Sequence, residues 1–64
     1  LSDPLKKLFD KTHGIHLSAM GTEMKKLYAR NNVTRLIVDP DERCILVYFK
    51  NGEMFKYFTD HTWG

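Results

Sequence analysis

Two kinds of apolar pattern divide the chain. In the first half, apolar residues recur every three to four positions, at Leu5, Leu8 and Phe9 and again at Met20, Met24, Leu27 and Tyr28. In the second half they form short, nearly continuous runs over 33–38, 44–49 and 54–58, rich in β-branched and aromatic side chains and separated by turn residues. Helical spacing followed by short strand-like runs predicts an α+β fold: two short N-terminal amphipathic helices, then a three-stranded antiparallel β-meander. We read residues 1–64 as one small domain, with a helical part over 1–32 and the meander over 33–64.

Local chemistry sets the element ends. Asp3 is a good N-cap and Pro4 suits the first helical position, where its missing N–H costs nothing. Gly14, after His13, predicts a C-terminal stop. Such a helix is too short to be stable alone and must dock to be ordered. Ser18 or Thr22 predicts the cap of a second helix running to Asn31-Asn32, weakened in its first turn by Gly21. Residues 33–38 predict a strand that enters Asp39-Pro40-Asp41-Glu42, where aspartate at the first position and proline at the second favour a type I turn. The register of that strand against the next is open by one residue, so the faces of Leu36, Ile37 and Val38 stay unassigned.

Asn51-Gly52 is the favoured two-residue type I′ hairpin turn, because both positions need positive φ. That turn pairs Lys50 with Glu53 and predicts Phe49 opposite Met54, Tyr48 opposite Phe55, Val47 opposite Lys56, Leu46 opposite Tyr57, Ile45 opposite Phe58 and Cys44 opposite Thr59. Since side chains alternate, one face would carry Ile45, Val47, Phe49, Met54 and Phe58 with Lys56. The other would carry Cys44, Leu46, Tyr48, Phe55, Tyr57 and Thr59. Both faces are apolar, whereas a half-solvated sheet alternates apolar with polar, so cover is expected on both sides.

Charge and composition narrow the function. The net charge is +2. Lys6, Lys7, Lys11, Lys25, Lys26 and Arg30 against Asp3, Asp10 and Glu23 leave +3 on residues 1–32, and four basic against five acidic groups leave −1 on residues 33–64. This is less than the basic stripe of a committed nucleic-acid binder. No apolar run reaches membrane-spanning length and no signal-peptide pattern appears, so a soluble chain is expected. Cys44 is the only cysteine, which excludes an internal disulfide and favours an intracellular, cytoplasmic setting. The chain begins at Leu1, as a fragment, processed product or part of something longer would. Ala19-Met20-Gly21 also has the composition of a cloning junction that would set residues 1–17 apart as an appended peptide.

Catalytic and metal chemistry find little support. His13 and His16 flank Gly14-Ile15 and His61 stands alone near the C-terminus, without the paired ligands a zinc site uses, so His13 and His16 are read as loop and cap residues. Cys44 lies in an apolar strand, an environment that raises a thiol pKa rather than activating it. Ser2 and Ser18 read as caps, and the carboxylates of 39–42 fit a solvated turn. The sequence therefore predicts no enzyme, cofactor, metal or small-molecule substrate.

With two helices covering one sheet face, the face of Leu46, Tyr48, Phe55 and Tyr57 is left for a partner, either another protein or a second copy. The alternative is a nucleic-acid-binding module in which those aromatics stack unpaired bases while Lys25, Lys26 and Arg30 meet phosphates.

Overall fold

The first helix runs through the glycine expected to end it. A computed structural model describes residues 1–64 and places helix α1 over Asp3–Ser18, with Ser2 rather than Asp3 as N-cap. Gly14 lies inside α1 on its solvent side, where a Cβ would meet nothing within 4 Å. The helix continues because its inward stripe does: Leu5, Leu8, Phe9, Thr12, His13, His16 and Leu17 keep helical spacing past Gly14. Phe9, Thr12, His13 and His16 are buried, so α1 is an integral wall of the core.

Helix α2 is shorter than expected, spanning Thr22–Leu27, and a 3-10 turn follows over Arg30–Asn32. Gly21 is its N-cap, and the Ser18 hydroxyl instead donates back to the Ile15 carbonyl at 2.7 Å. The carbonyls at the end of α2 are claimed from elsewhere in the fold. Asn32 Nδ2 donates to the carbonyls of Lys26 at 2.7 Å and Leu27 at 3.3 Å, and His13 Nε2 donates to that of Tyr28 at 2.7 Å. Orphan carbonyls satisfied this way need no further helical turn. Of the second apolar stripe Tyr28 is buried and Met20 half-buried, while Met24 and Leu27 are exposed. Only α1 therefore roofs the sheet. No helix is long and apolar enough to cross a membrane.

Strands β1 (Val33–Asp39), β2 (Cys44–Phe49) and β3 (Met54–Phe58) form the expected antiparallel meander in the order β1-β2-β3. The β2–β3 register differs from expectation by one residue. Tyr48 opposes Met54, Val47 opposes Phe55, Leu46 opposes Lys56, Ile45 opposes Tyr57 and Cys44 opposes Phe58. The cause is the turn. The Gly52 N–H donates to the Phe49 carbonyl at 3.0 Å and the Phe49 N–H to the Glu53 carbonyl at 3.0 Å, with positive φ at Gly52 alone of the pair. Lys50, Asn51 and Gly52 thus form a three-residue loop, a type I turn closed by a left-handed residue, rather than a two-residue I′ turn.

The β1–β2 register is also fixed. Arg35 opposes Tyr48, Leu36 Val47, Ile37 Leu46, Val38 Ile45 and Asp39 Cys44, with a bulge at Thr34. After β3 the chain turns again, and the N–H and carbonyl of Lys56 pair with the carbonyl and N–H of Gly64 at 3.0 and 3.1 Å. Residues 62–64 thereby cover part of the outer edge of β3.

The main core cluster lies between α1 and one sheet face. Phe9, Tyr28, Ile45, Val47, Phe49 and Tyr57 form it, with Leu5, Leu8, Leu17, Met20, Val33, Leu36, Phe55 and Trp63 packed around them. Each large apolar side chain buried there contributes about 1.5–3 kcal/mol. The polar groups it encloses are all satisfied.

Candidate interaction surface

The corrected register splits the four residues expected to form one aromatic face. Leu46 and Tyr48 lie on the sheet face away from α1, half-buried by their neighbours. Phe55 and Tyr57 lie on the face under α1, and Tyr57 is 0% exposed. Tyr57 is a core residue: its hydroxyl shares a 2.8 Å hydrogen bond with His16 Nδ1, and its ring stacks on Phe9 with centroids 5.8 Å apart. Burial pushes its phenol well above the ordinary range. A face made of all four residues does not exist.

The face that is open has a different membership. Three cross-strand rows compose it: Arg35–Tyr48–Met54, Ile37–Leu46–Lys56 and Asp39–Cys44–Phe58. Ile37, Leu46, Tyr48, Met54 and Phe58 make it apolar, and none of them belongs to the core or to the shell packed on it. Met54 and Phe58 fall outside the expected partner face because the two-residue turn puts them on its opposite side, and Ile37 because the sequence leaves the register of β1 open. The discriminating signal was Lys56. In the expected register it shares a face with Ile45, Val47 and Phe49, whereas in the observed one the helix-side face of β2 and β3 is uninterruptedly apolar.

Charges gather at one end of this face. The ligand atoms of Asp39, Glu42 and Cys44 lie within 4.8 Å of one another, and Lys56 Nζ sits 2.7 Å from Glu42 Oε2. That ammonium supplies the cluster's positive charge, and the hydrogen bond to Glu42 pushes the Lys56 pKa up. Burial, then the charges of Asp39 and Glu42, push the Cys44 thiol up, the reverse of an activated nucleophile. Asp39 Oδ1 also accepts the backbone N–H groups of Asp41 at 3.1 Å and Glu42 at 3.2 Å, which shapes the turn. A cavity of about 230 Å³ opens where Leu5 and Leu8 of α1 overhang this turn, lined also by Val38, Pro40, Arg43 and Thr59.

The basic residues of the helical half are placed elsewhere. Arg30 bonds Asp10 at 2.8 Å, with its guanidinium 5.6 Å from the centre of the Phe9 ring, so it belongs to the helix side of the sheet. Lys26 lies 3.7 Å from Glu23, and Lys25 is exposed on α2. The structure does not bring Lys25, Lys26 or Arg30 onto the face of Leu46 and Tyr48.

His13 and His16 are helix residues rather than loop and cap residues. His13 and His16 are buried in α1, and all three histidines tie α1 to the rest of the fold: His13 to the Tyr28 carbonyl, His16 to Tyr57, and His61 Nδ1 to Thr12 Oγ1 at 3.2 Å. Around His16 the rings of Tyr28, Phe55, Tyr57 and Trp63 lie with centroids between 4.7 and 6.2 Å away. Burial first, and the charge of His13 second, hold the His16 pKa below the ordinary histidine value. These groups serve packing, and no open surface reaches them together.

Comparison with family models, curated proteins and solved structures gives no match to the chain.

Proposed function

We propose that this domain is a non-enzymatic interaction module that docks a protein partner on the open face of its sheet. The observation that carries this reading is the contiguous apolar set Ile37, Leu46, Tyr48, Met54 and Phe58, over which the chain places no helix. An antiparallel sheet with a truly solvated face would carry polar residues there. The rim charges Arg35 and Lys56 supply orientation more than affinity.

Size limits the affinity. Three strands about 4.8 Å apart and five residues long at about 3.3 Å each make a face of roughly 250 Å² in plan. A stable interface takes about 800 Å² from each partner. The face alone therefore supports weak, transient docking, and tighter binding requires more strands or the flanking turns.

Leu46 is at the centre of the face, so Leu46→Glu is the direct test, because a carboxylate at the centre of a desolvated contact is left unpaired. Protein captured by the wild-type chain should be lost with Leu46→Glu and retained with Leu27→Glu, which alters an exposed apolar residue of α2. Capture indifferent to Leu46 would overturn the reading. Titration with single-stranded oligonucleotides at two salt concentrations is the companion measurement. Affinity that depends on Tyr48 and falls steeply with salt would replace the protein partner by nucleic acid.

A further inference from the structure

The two edges of the sheet are treated differently by the fold. The outer edge of β3 is partly covered by residues 62–64, but β1 has no backbone partner on its outer side. Val33–Asp39 is a seven-residue edge strand, and Val38 on it is 41% exposed. An edge of this length without cover is a template for another strand.

The sequence of β1 is self-complementary. In antiparallel pairing about Ile37, Arg35 of one copy lies opposite Asp39 of the other, Leu36 opposite Val38, and Ile37 opposite itself. The two charged pairs fall on the open face with Ile37 between them, and Leu36 and Val38 fall on the helix side. Arg35 is exposed and has no ion-pair partner within its own chain. Asp39 spends Oδ1 on its own turn, which leaves Oδ2 for a cation. Any other register loses this match; a shift of one residue on one strand also puts side chains of opposite faces across from each other. The ladder ends fit as well: the bulged Thr34 falls opposite Pro40, which has no N–H to pair.

We propose that β1 is a homodimerisation edge, at which a second copy of this chain adds its own β1 antiparallel about Ile37 to make a continuous six-stranded sheet. The pairing is isologous, as a two-fold dimer requires. It deepens the interaction reading, since two open faces side by side double the apolar platform, and it rests on that reading only for its purpose. Opposite charges directly across a strand pair stabilise it and like charges oppose it. Both charged pairs reverse together in Arg35→Glu.

The test is sedimentation of the full chain over a range of concentrations. The wild type should move from 7.5 kDa toward twice that mass as concentration rises. Arg35→Glu, on an exposed position, should raise the dissociation constant about tenfold or more. Asp39→Asn keeps the Oδ1 acceptor of the turn and removes the charge, so adding it to Arg35→Glu should recover part of the loss. In a mixture of labelled and unlabelled chains, isotope-filtered NMR should show Ile37 of one copy against Ile37 of the other. A wild type that stays at 7.5 kDa at millimolar concentration, or a dimer indifferent to Arg35→Glu, overturns the proposal. A dimer broken by Leu46→Glu but not by Arg35→Glu would instead be face to face, leaving the interaction reading intact and this one false. A dimer sensitive to Arg35 with no role for Leu46 in partner capture would separate them the other way.

Discussion

Tyr57 is the residue on which the two sheet registers disagree most, and its hydroxyl offers the sharpest test. In the observed register the phenol is fully buried and hydrogen-bonded to His16 Nδ1 at 2.8 Å, itself 3% exposed. Tyr57→Phe keeps the ring and its stacking on Phe9 but removes the oxygen. A typical net hydrogen bond is worth about 1 kcal/mol, and a buried group left without its partner costs about 1–3 kcal/mol. The expected loss is therefore about 1–3 kcal/mol. A domain of this size has a total stability of roughly 3–10 kcal/mol, so the loss is a large share of it. At about 4–8 °C per kcal/mol, the melting temperature should fall by about 4–24 °C.

Urea unfolding followed by Trp63 fluorescence reads this directly, because the indole lies 4.8 Å from the His16 ring and reports on that region of the core. Far-UV circular dichroism provides the global signal. His16→Leu removes the other partner, and Tyr57→Phe with His16→Leu removes both. The double variant should be less damaged than the sum of the singles, since neither group then remains unpaired. Tyr57→Phe within about 0.5 kcal/mol of wild type, the range of ordinary surface substitutions, would refute the placement of Tyr57 under α1.

Three further outcomes follow from the same structure. His16 has a folded pKa below its unfolded value of 6.5, so the unfolded chain binds the proton more readily; stability should be full above pH 6.5 and fall as pH drops through the lower folded value. Urea midpoints from pH 8 to pH 5 should show this fall, and it should flatten in His16→Gln. Gly52→Val places a β-branched residue at φ +88 where a Cβ meets nothing within 4 Å, so backbone strain alone should cost about 1–3 kcal/mol, read as a lowered melting temperature. Gly14→Ala, inside α1 on its open side, should raise stability by about 0.5–1 kcal/mol in the same melt, whereas a glycine that ended the helix would give no such gain.

Much of the fold was readable from residue patterns, and the errors have one physical character. The α+β order, the three strands, and the turns at Asp39–Glu42 and Asn51-Gly52 follow from local chemistry. Asn-Gly, however, suits both a two-residue I′ turn and the end of a three-residue loop, so the dipeptide alone does not choose the register. The choice lay in long-range pattern, in whether Lys56 points to the core. The length of α1 was hidden by composition: Thr12, His13 and His16 read as polar, yet each is buried because a partner 15 or more residues away satisfies it. The expected open face inherits the β2–β3 register error, which keeps Leu46 and Tyr48, wrongly takes Phe55 and Tyr57 and leaves out Met54 and Phe58, while Ile37 stays out because the β1 register is open in the sequence.

Helix docking and strand register enforce each other here. A slip of one residue between β2 and β3 would turn Lys56 toward α1 and carry Tyr57 to the open face, since alternate residues exchange sides. His16 would lose its hydroxyl partner, and the pairing of residues 62–64 with β3 would no longer set His61 against Thr12. A buried ammonium and unpaired imidazole groups would together cost several kcal/mol, against a total of roughly 3–10 kcal/mol for a chain this short. The histidine ties thus select which sheet face is roofed, and by doing so they select which face is left open.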